Sequence, residues 1–362
     1  MKRKITSLLL SLILIFSLFS CDDYYEPVES SELEATTVMT IRVDNESYEV
    51  PYELYRAFFL QLKGTVDGGK SEVWQGEDSE EYVEKIDKMI LSRIADVYAL
   101  YHLAKTLGID LYSDENEQTL DEYIKASVDG GVVDGAPLNG FGGDYDAYLS
   151  SLAEMNLNYS AQRALLRYSL ASELIDFYYL GDDTTDGALE YSREDVYEFY
   201  LGDESARYIK GYFSTSNEAF SMSKLNLLHS EVSALGSESE VAIKIINASL
   251  TVGKEVMRGD LLGTHSLDPM YYAPLTDGVF SLMVGECAPL IKISTGIDEG
   301  YYLVYRADKT EKFFTENYSY VCEVYERHMI GKAIAALKEK ILSSDIKITL
   351  PDGITHANIS MK

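Results

Sequence analysis

The sequence has few of the residues that build covalently linked or metal-bound structures. Its 362 residues include three cysteines, seven prolines, one tryptophan and five histidines. The histidines never fall at a ligand spacing such as i, i+4 on a helix. The sequence therefore predicts no zinc, haem or other cofactor and no histidine-based nucleophile site.

Positive charge is also scarce. Lys and Arg together number 31 against 60 Asp and Glu, which gives a formal net charge of -29. Such a field repels nucleic acids and anionic lipid surfaces, so nucleic acid is excluded as a partner. We interpret the acidic surface as one that keeps the protein soluble, with an acidic face suited to basic clients as the alternative.

Long hydrophobic runs are missing after the first 20 residues. The run at residues 8–19 is shorter than the roughly 20 residues of a membrane-spanning helix, and Lys2, Arg3 and Lys4 precede it. Residues 1–20 therefore read as a secretion signal. The residues leading to Cys21 resemble a bacterial lipobox, which predicts a lipidated Cys21 and an extracytoplasmic, membrane-anchored lipoprotein, on the outer face of the cell membrane or in the periplasm. An ordinary signal peptide with an incidental cysteine is the alternative.

Only Cys287 and Cys322 remain if Cys21 carries lipid. An oxidising compartment permits one disulfide between them, and two unlinked thiols are the favoured interpretation. The sequence alone leaves their pairing open.

Periodicity divides the chain into a helical part and a mixed part. Residues 21–38 are predicted to be a flexible acidic tether, and alternation around residues 39–50 predicts a hairpin. Apolar spacings of three and four then predict helices, with a glycine-rich break at 64–79 and a glycine-rich connector at 130–143. The predicted helices of this part are 54–62, 82–107 closed by Gly108, 114–128 opened by a capping box of Asp114 and Glu117, 144–153, 159–180 capped by Asn158, and 193–200 capped by Ser192 and Asp195.

Beyond residue 205 strands alternate with helices. The pattern predicts strands at 206–213 and 301–306, helices at 220–235, 237–250 and 275–280, a long helix at 313–342 and a last strand at 345–350.

Several segments, in this order, resemble the SurA-like and PrsA-like foldases. They are VPYELYRAFFLQLKG, LYHLAKTLGIDLYSDENEQTLDEYI, FGGDYDAYLSSLAEMNLNYSAQRALLRYSL and REDVYEFY leading into ARYIKGYF. The resemblance implies an α+β fold: a helical chaperone module at 39–203, completed by a C-terminal helix and strand at 310–362. A parvulin-like (PpiC-type) domain at 204–309 would be inserted into it.

The parvulin-like part is similar to the family over RGDLLG at 258–263 and over the segment 278–306. The resemblance implies peptidyl-prolyl cis–trans isomerase activity. However, the family's catalytic positions, two histidines and a cysteine or aspartate, align with Tyr208, Tyr302 and Val252. The proline pocket aligns with Tyr271 and Leu275. Phe280 is assigned to the same apolar surface.

The sequence therefore predicts a lipid-anchored foldase or chaperone that binds unfolded or nascent exported polypeptides, with a weak or inactive isomerase domain. Twenty-nine tyrosines and twelve phenylalanines supply contact area. Tyr55, Phe58 and Phe59 are predicted to line the substrate surface, as are Tyr178 and Tyr179. An active isomerase and a non-catalytic scaffold with one partner are the alternatives, and homodimer formation stays open.

Overall fold

The computed structural model describes residues 25–360, apart from 134–135, 139, 182–184, 219, 253–254, 264–272 and 295–298. The fold is α+β, with helices and small antiparallel sheets. Contacts divide the chain into two compact units: Met1–Ala188 together with Ala333–Lys362, and Leu189–Lys332. The first is called the helical unit below and the second the sheet unit.

Residues 25–36, predicted as part of the flexible tether, instead contact the helical unit: the Ser30 hydroxyl donates to Glu53 at 2.6 Å, and Glu34 pairs with Arg56 at 2.7 Å. The predicted hairpin follows, and in it Ile41 pairs with Tyr48. Helices follow at the predicted places. The elements are β1 (Thr37–Val43), β2 (Glu46–Pro51), α1 (Tyr52–Asp67), a 3-10 turn (Ser71–Trp74), α2 (Ser79–Thr106), α3 (Asp114–Asp129), the short hairpin β3 (Gly131–Val133) and β4 (Ala136–Leu138), α4 (Tyr145–Glu154) and α5 (Tyr159–Leu180).

Local hydrogen bonds explain where these helices begin and end. The side chain of Asn158 accepts from the Ala161 amide at 2.8 Å, as predicted. Gly108 adopts the left-handed conformation, φ 77°, just after α2. The predicted cap of α3 at Asp114 is wrong by one residue, because the Ser113 hydroxyl accepts from the Asn116 amide at 3.3 Å.

The glycine-rich segments are more ordered than their composition predicts. Gly64 lies inside α1, which ends at Gly68 (φ 59°) rather than at the predicted break. The buried Asp67 stabilises this ending, since its carboxylate accepts from the Gly69 amide and from Trp74 Nε1, both at 2.8 Å. The predicted connector 130–143 contains the hairpin of β3 and β4.

Helix α5 has a buried middle and an exposed end. Leu170, Ala171 and Ile175 are buried, whereas Phe177 is 44% exposed. The last turn of α5 therefore presents aromatic surface to solvent.

The C-terminal segment belongs to the helical unit from Ala333 onward. Helix α11 (Tyr318–Leu342) ends with ion pairs from Lys338 to Asp96 (2.7 Å) and from Lys340 to Asp44 (3.0 Å). The predicted strand at 345–350 is wrong, because this segment does not form a β-strand. Its backbone bond to β1 is Thr349 N to Val38 O at 2.8 Å, and a single bond makes no ladder.

The described elements of the sheet unit are α6 (Arg193–Leu201), β5 (Ser205–Ser214), α7 (Met222–Ser233), α8 (Glu238–Val252), β6 (Glu255–Gly263), α9 (Ala273–Phe280), β7 (Ile291–Ser294), β8 (Glu299–Arg306), α10 (Glu311–Glu316) and the start of α11. The four strands form an antiparallel sheet in the order β6-β5-β8-β7. Strands β6 and β7, which the sequence did not predict, are the two edges, where charged and glycine residues are tolerated and apolar alternation is weak.

Two local features of this unit concern its helices. The predicted capping box of α6 is present between Ser192 and Asp195. The long helix predicted from residue 313 is instead two helices, α10 and α11, which meet at Asn317. The Asn317 side chain donates to the Phe313 carbonyl at 2.9 Å, a local bond that competes with the helical ladder.

Helices α7 and α8 cover one face of the sheet. Ile209, Phe213 and Leu303 from the two central strands are buried there against Ile245 of α8. A Cβ atom on Gly211 would lie 2.7 Å from Ile245 Cγ2, so glycine is required for this close approach. This face is the core of the unit.

The two remaining cysteines lie in different places. Cys287 packs at the edge of the core under α7 and α8, whereas Cys322 is buried with Phe199 and Phe314. They are not joined in a disulfide.

Candidate functional site

The other face of the sheet carries the residues that the sequence assigns to the isomerase site. Register fixes this face: Tyr208 lies opposite Arg306, Lys210 opposite Val304, and Tyr212 opposite Tyr302. Because side chains alternate along a strand, cross-strand partners and every second residue share one face. We call this surface the α9 face, because Leu275 and Val279 of α9 pack against it.

The structure brings Tyr208, Tyr302, Leu275 and Phe280 into one apolar cluster. Tyr208 and Tyr302 are not direct cross-strand partners, since each faces a different residue on the neighbouring strand. Tyr208 is 6% exposed, so its ring is part of the packing. Of the other predicted positions, the side chain of Val252 and all of Tyr271 lie outside the described residues.

Two cations on the α9 face are absent from the sequence prediction. Lys210 is 7% exposed, and its Nζ lies 4.6 Å from the centroid of the Tyr302 ring. Tyr212 meets the same ring edge-on, with centroids 5.5 Å apart. One side of Tyr302 thus contacts an ammonium group, a geometry in which the ring quadrupole attracts the cation.

Arg306 is the second cation. Its Nη1 donates to the Val279 carbonyl at 3.2 Å, and its guanidinium lies 5.5 Å from the Phe280 ring centroid. Burial lowers the pKa of this guanidinium. The signal for both cations was in the sequence, because strict alternation along β5 and β8 puts Lys210 and Arg306 on the same face as Tyr208 and Tyr302.

The chemistry of the α9 face follows from these groups. Its described side chains offer phenol hydroxyls and two cations, and none of them is a carboxylate, an imidazole or a thiol. They are Ala206, Tyr208, Lys210, Tyr212, Leu275, Val279, Phe280, Leu282, Ala288, Ile291, Tyr302, Val304 and Arg306. Such a surface can bind a peptide through stacking and hydrogen bonds.

The aromatic residues predicted to contact clients divide into two groups. Tyr55, Phe58 and Phe59 are 0%, 7% and 0% exposed, so they are core residues rather than an open surface. The reason is their position on α1, which is covered by α2. The Tyr55 hydroxyl donates to Asp87 Oδ1 at 2.5 Å, and burial raises the pKa of this phenol.

The second group, Tyr178 and Tyr179, lies at the end of α5. Tyr178 is 40% exposed, and the Tyr178 and Tyr179 rings contact edge to face with centroids 5.3 Å apart. Phe177, the preceding residue, was not predicted to contact clients and is 44% exposed. We call Phe177 and Tyr178 the α5 aromatic pair. The pair forms an exposed apolar surface at the C-terminal end of the helix.

A metal site and a membrane-spanning helix are both missing from the described residues. In the part of the chain that the structure describes, no three His, Cys, Asp or Glu side chains group as metal ligands do. No described helix combines the length and apolar character needed to cross a bilayer. Cys21, predicted to carry lipid, lies outside the described residues.

Comparisons with known proteins return a small set of similar structures. No protein-family model and no curated protein matches the chain. The foldase protein PrsA from Streptococcus pneumoniae is 13% identical, with a TM-score of 0.27, and the match covers 88% of this chain and 97% of the PrsA chain. PrsA from Bacillus subtilis is 13% identical, with a TM-score of 0.23 over 78% and 93%. The peptidylprolyl isomerase PrsA from Bacillus anthracis is 12% identical, with a TM-score of 0.27 over 72% and 99%. At these TM-scores no equivalence of individual residues follows, and the structures found are of the family that the sequence motifs resemble.

Proposed function

We propose that the chain is an extracytoplasmic foldase or holdase that binds unfolded exported polypeptides and is anchored by lipid on Cys21. In this proposal residues 39–203 and 310–362 form the chaperone module. The inserted parvulin-like domain, 204–309, supplies a second contact surface and isomerises prolyl bonds weakly or not at all.

The observation that carries the proposal is the exposure of the α5 aromatic pair. Large aromatic side chains give much contact area with little loss of conformational entropy, so they suit clients of varied sequence. Elsewhere in the helical unit the aromatic residues first predicted to contact clients are buried. We therefore place the client contact at Phe177 and Tyr178, in place of Tyr55, Phe58 and Phe59.

Replacing both Phe177 and Tyr178 by serine is expected to weaken aggregation suppression. The loss of two exposed aromatic contacts should cost about 1–2 kcal/mol of client binding, so several times more protein is needed for the same suppression. Light scattering of a chemically unfolded client, titrated with the mature chain, measures this.

The matched control is Met155→Ser, which removes an apolar side chain that is 52% exposed on the same unit. Equal behaviour of the double variant and the unchanged chain would place the client contact elsewhere. No suppression by the unchanged chain at equimolar concentration would remove the holdase function, and a pull-down that returns one stoichiometric protein would favour a scaffold instead.

The isomerase part has its own test. We expect the mature chain to accelerate cis–trans isomerisation of a prolyl peptide by less than about twofold over the slow uncatalysed reaction. The reason is that Tyr208 is packed in the α9 face and Lys210 lies over the Tyr302 ring. A protease-coupled assay on a proline-containing chromogenic peptide measures the rate.

Tyr208→Phe and Tyr302→Phe are the paired variants, because each removes one hydroxyl and leaves the ring. We expect neither to change the rate. A clear acceleration by the unchanged chain that either substitution abolishes would establish an active isomerase.

A further inference from the structure

The helical unit contains a cavity of about 360 Å³ that the proposed function does not use. It lies where the end of β2 and the first turn of α1 meet α2 and α5. Its walls combine aromatic rings with charged side chains, among them Tyr98, Tyr101, Tyr112, Glu49 and Glu53. We call it the tyrosine cavity.

The hydroxyl groups of two of the three tyrosines already donate hydrogen bonds to backbone carbonyls. Tyr98 donates to the Glu49 carbonyl at 3.1 Å, and Tyr101 donates to the Ala164 carbonyl at 2.8 Å. Their rings meet edge to face, with centroids 5.6 Å apart. These rings are held in place by backbone acceptors, so what they offer a ligand is aromatic surface.

The two arginines at the cavity are already neutralised. Arg163 makes ion pairs with Glu117 (2.6 Å) and Asp121 (2.5 Å), and Arg167 pairs with Glu117 at 2.5 Å. The Arg167 guanidinium also lies 4.4 Å from the Tyr112 ring centroid. Two cations therefore face two carboxylates, and this network leaves no excess positive charge.

The two acids of the wall are not neutralised in this way. Glu53 is 8% exposed, and its carboxylate accepts from the Ser30 hydroxyl at 2.6 Å and from Asn158 Nδ2 at 3.1 Å. Glu49 accepts from the Thr37 hydroxyl at 3.3 Å. Among the described residues neither acid has an ion pair with a lysine, arginine or histidine.

The balance of charge at the cavity is therefore negative. Burial raises the pKa of the Glu53 carboxyl, and the hydrogen bonds from Ser30 and Asn158 together with the charge of Arg56, itself ion-paired with Glu34 at 2.7 Å, offset this only in part. The whole chain, at a formal charge of -29, adds to the same field.

We propose that the tyrosine cavity binds the cationic side chain of a lysine or arginine presented by a polypeptide. The aromatic walls attract an ammonium or guanidinium group through their ring quadrupoles, and Glu49 and Glu53 supply the opposite charge. The inference rests on the proposed function in one respect, that the ligand is an unfolded chain. It adds a preference for basic segments.

The test uses short labelled glycine–serine peptides that differ at one central residue: lysine, norleucine or glutamate. Fluorescence anisotropy at low salt gives their affinities for the mature chain. We expect the lysine peptide to bind about tenfold more tightly than the norleucine peptide. The glutamate peptide should bind more weakly than both.

Glu49→Gln and Tyr112→Leu should each reduce the advantage of lysine, and Glu53→Gln is a second carboxylate variant. The matched control is Glu77→Gln, which removes the same charge from an exposed residue that does not line the cavity. Equal effects of Glu49→Gln and Glu77→Gln would show only a long-range field and would overturn the site. Tighter binding of the glutamate peptide would also overturn it and point to Arg167, whose Nε has no hydrogen-bond partner among the described residues.

Failure of this inference is distinguishable from failure of the proposed function. Normal aggregation suppression without any lysine preference would remove the cavity as a cation site and leave the holdase standing. A lysine preference without aggregation suppression would remove the holdase function and leave the cavity as a cation site.

Discussion

Replacing Phe213 by alanine is expected to lower the free energy of unfolding of the sheet unit by about 3–5 kcal/mol. Phe213 is 0% exposed and lies in the core between the sheet and helices α7 and α8. Truncation removes its buried ring and leaves a cavity, which the neighbouring side chains fill only in part. Urea denaturation followed by far-ultraviolet circular dichroism measures the loss.

Neighbouring leucines on α7 provide the matched comparison. Leu228 is 8% exposed in the same core, whereas Leu227, the preceding residue, is 61% exposed. Leu228→Ala should therefore cost about 2–5 kcal/mol and Leu227→Ala less than about 0.5 kcal/mol. Similar midpoints for these two variants would contradict the assigned inward face of α7 and, with it, the core.

The helices of the helical unit could be predicted because their information is local. Asn158 at the start of α5 and Gly108 after α2 act within one turn of the chain, and the structure places both as predicted. Ser192 and Asp195 form their capping box for the same reason.

The errors arise where a hydrogen-bond partner outside the predicted element decides. The segment 345–350 has the alternation of a strand, yet a strand also needs a partner ladder, and β1 offers it one backbone bond through Val38. Gly64 continues α1 because Asp67, one turn later, has hydrogen-bond partners in the residues that follow the helix. Neither partner can be read from local composition.

Only part of the candidate site could be predicted from the sequence. The family resemblance placed Tyr208, Tyr302, Leu275 and Phe280 on one surface, and the structure groups all four. The stacking of Lys210 on Tyr302 depends on the register between β5 and β8, which is fixed by pairing across about 90 intervening residues. Register of this kind is a tertiary property.

The burial of the predicted client residues has the same origin. Tyr55, Phe58 and Phe59 recur at helical spacing, which predicts an apolar stripe but not what covers it. In the structure α2 and the C-terminal tail cover it, and His356 of the tail contacts both Tyr55 and Phe59. A residue that lies some 300 positions away along the chain thus decides whether this stripe is surface or core.

His356→Ala is accordingly expected to lower the free energy of unfolding of the helical unit by about 2–4 kcal/mol. His356 Nε2 lies 3.1 Å from Asp87 Oδ1 and 3.0 Å from the Tyr55 hydroxyl, and its ring stacks on Trp74 with centroids 6.5 Å apart. Alanine removes these polar contacts and opens a gap beside Phe59 and Trp74, whose rings contact each other with centroids 5.4 Å apart. The only tryptophan of the chain is therefore part of the contact, and its fluorescence during urea denaturation reports the unfolding of this unit.

Asp352→Ala is the control for His356→Ala, because Asp352 is an exposed residue of the same tail. We expect its unfolding midpoint to match that of the unchanged chain, while His356→Ala unfolds at lower urea and shows a red-shifted Trp74 emission before the transition. Identical midpoints for the two variants would mean that the tail does not stabilise α1 and α2. Because the helical unit is formed from both ends of the sequence, such a result would also remove the physical reason for joining 333–362 to the N-terminal helices. A loss confined to His356→Ala makes the tail a structural part of the module that carries the α5 aromatic pair.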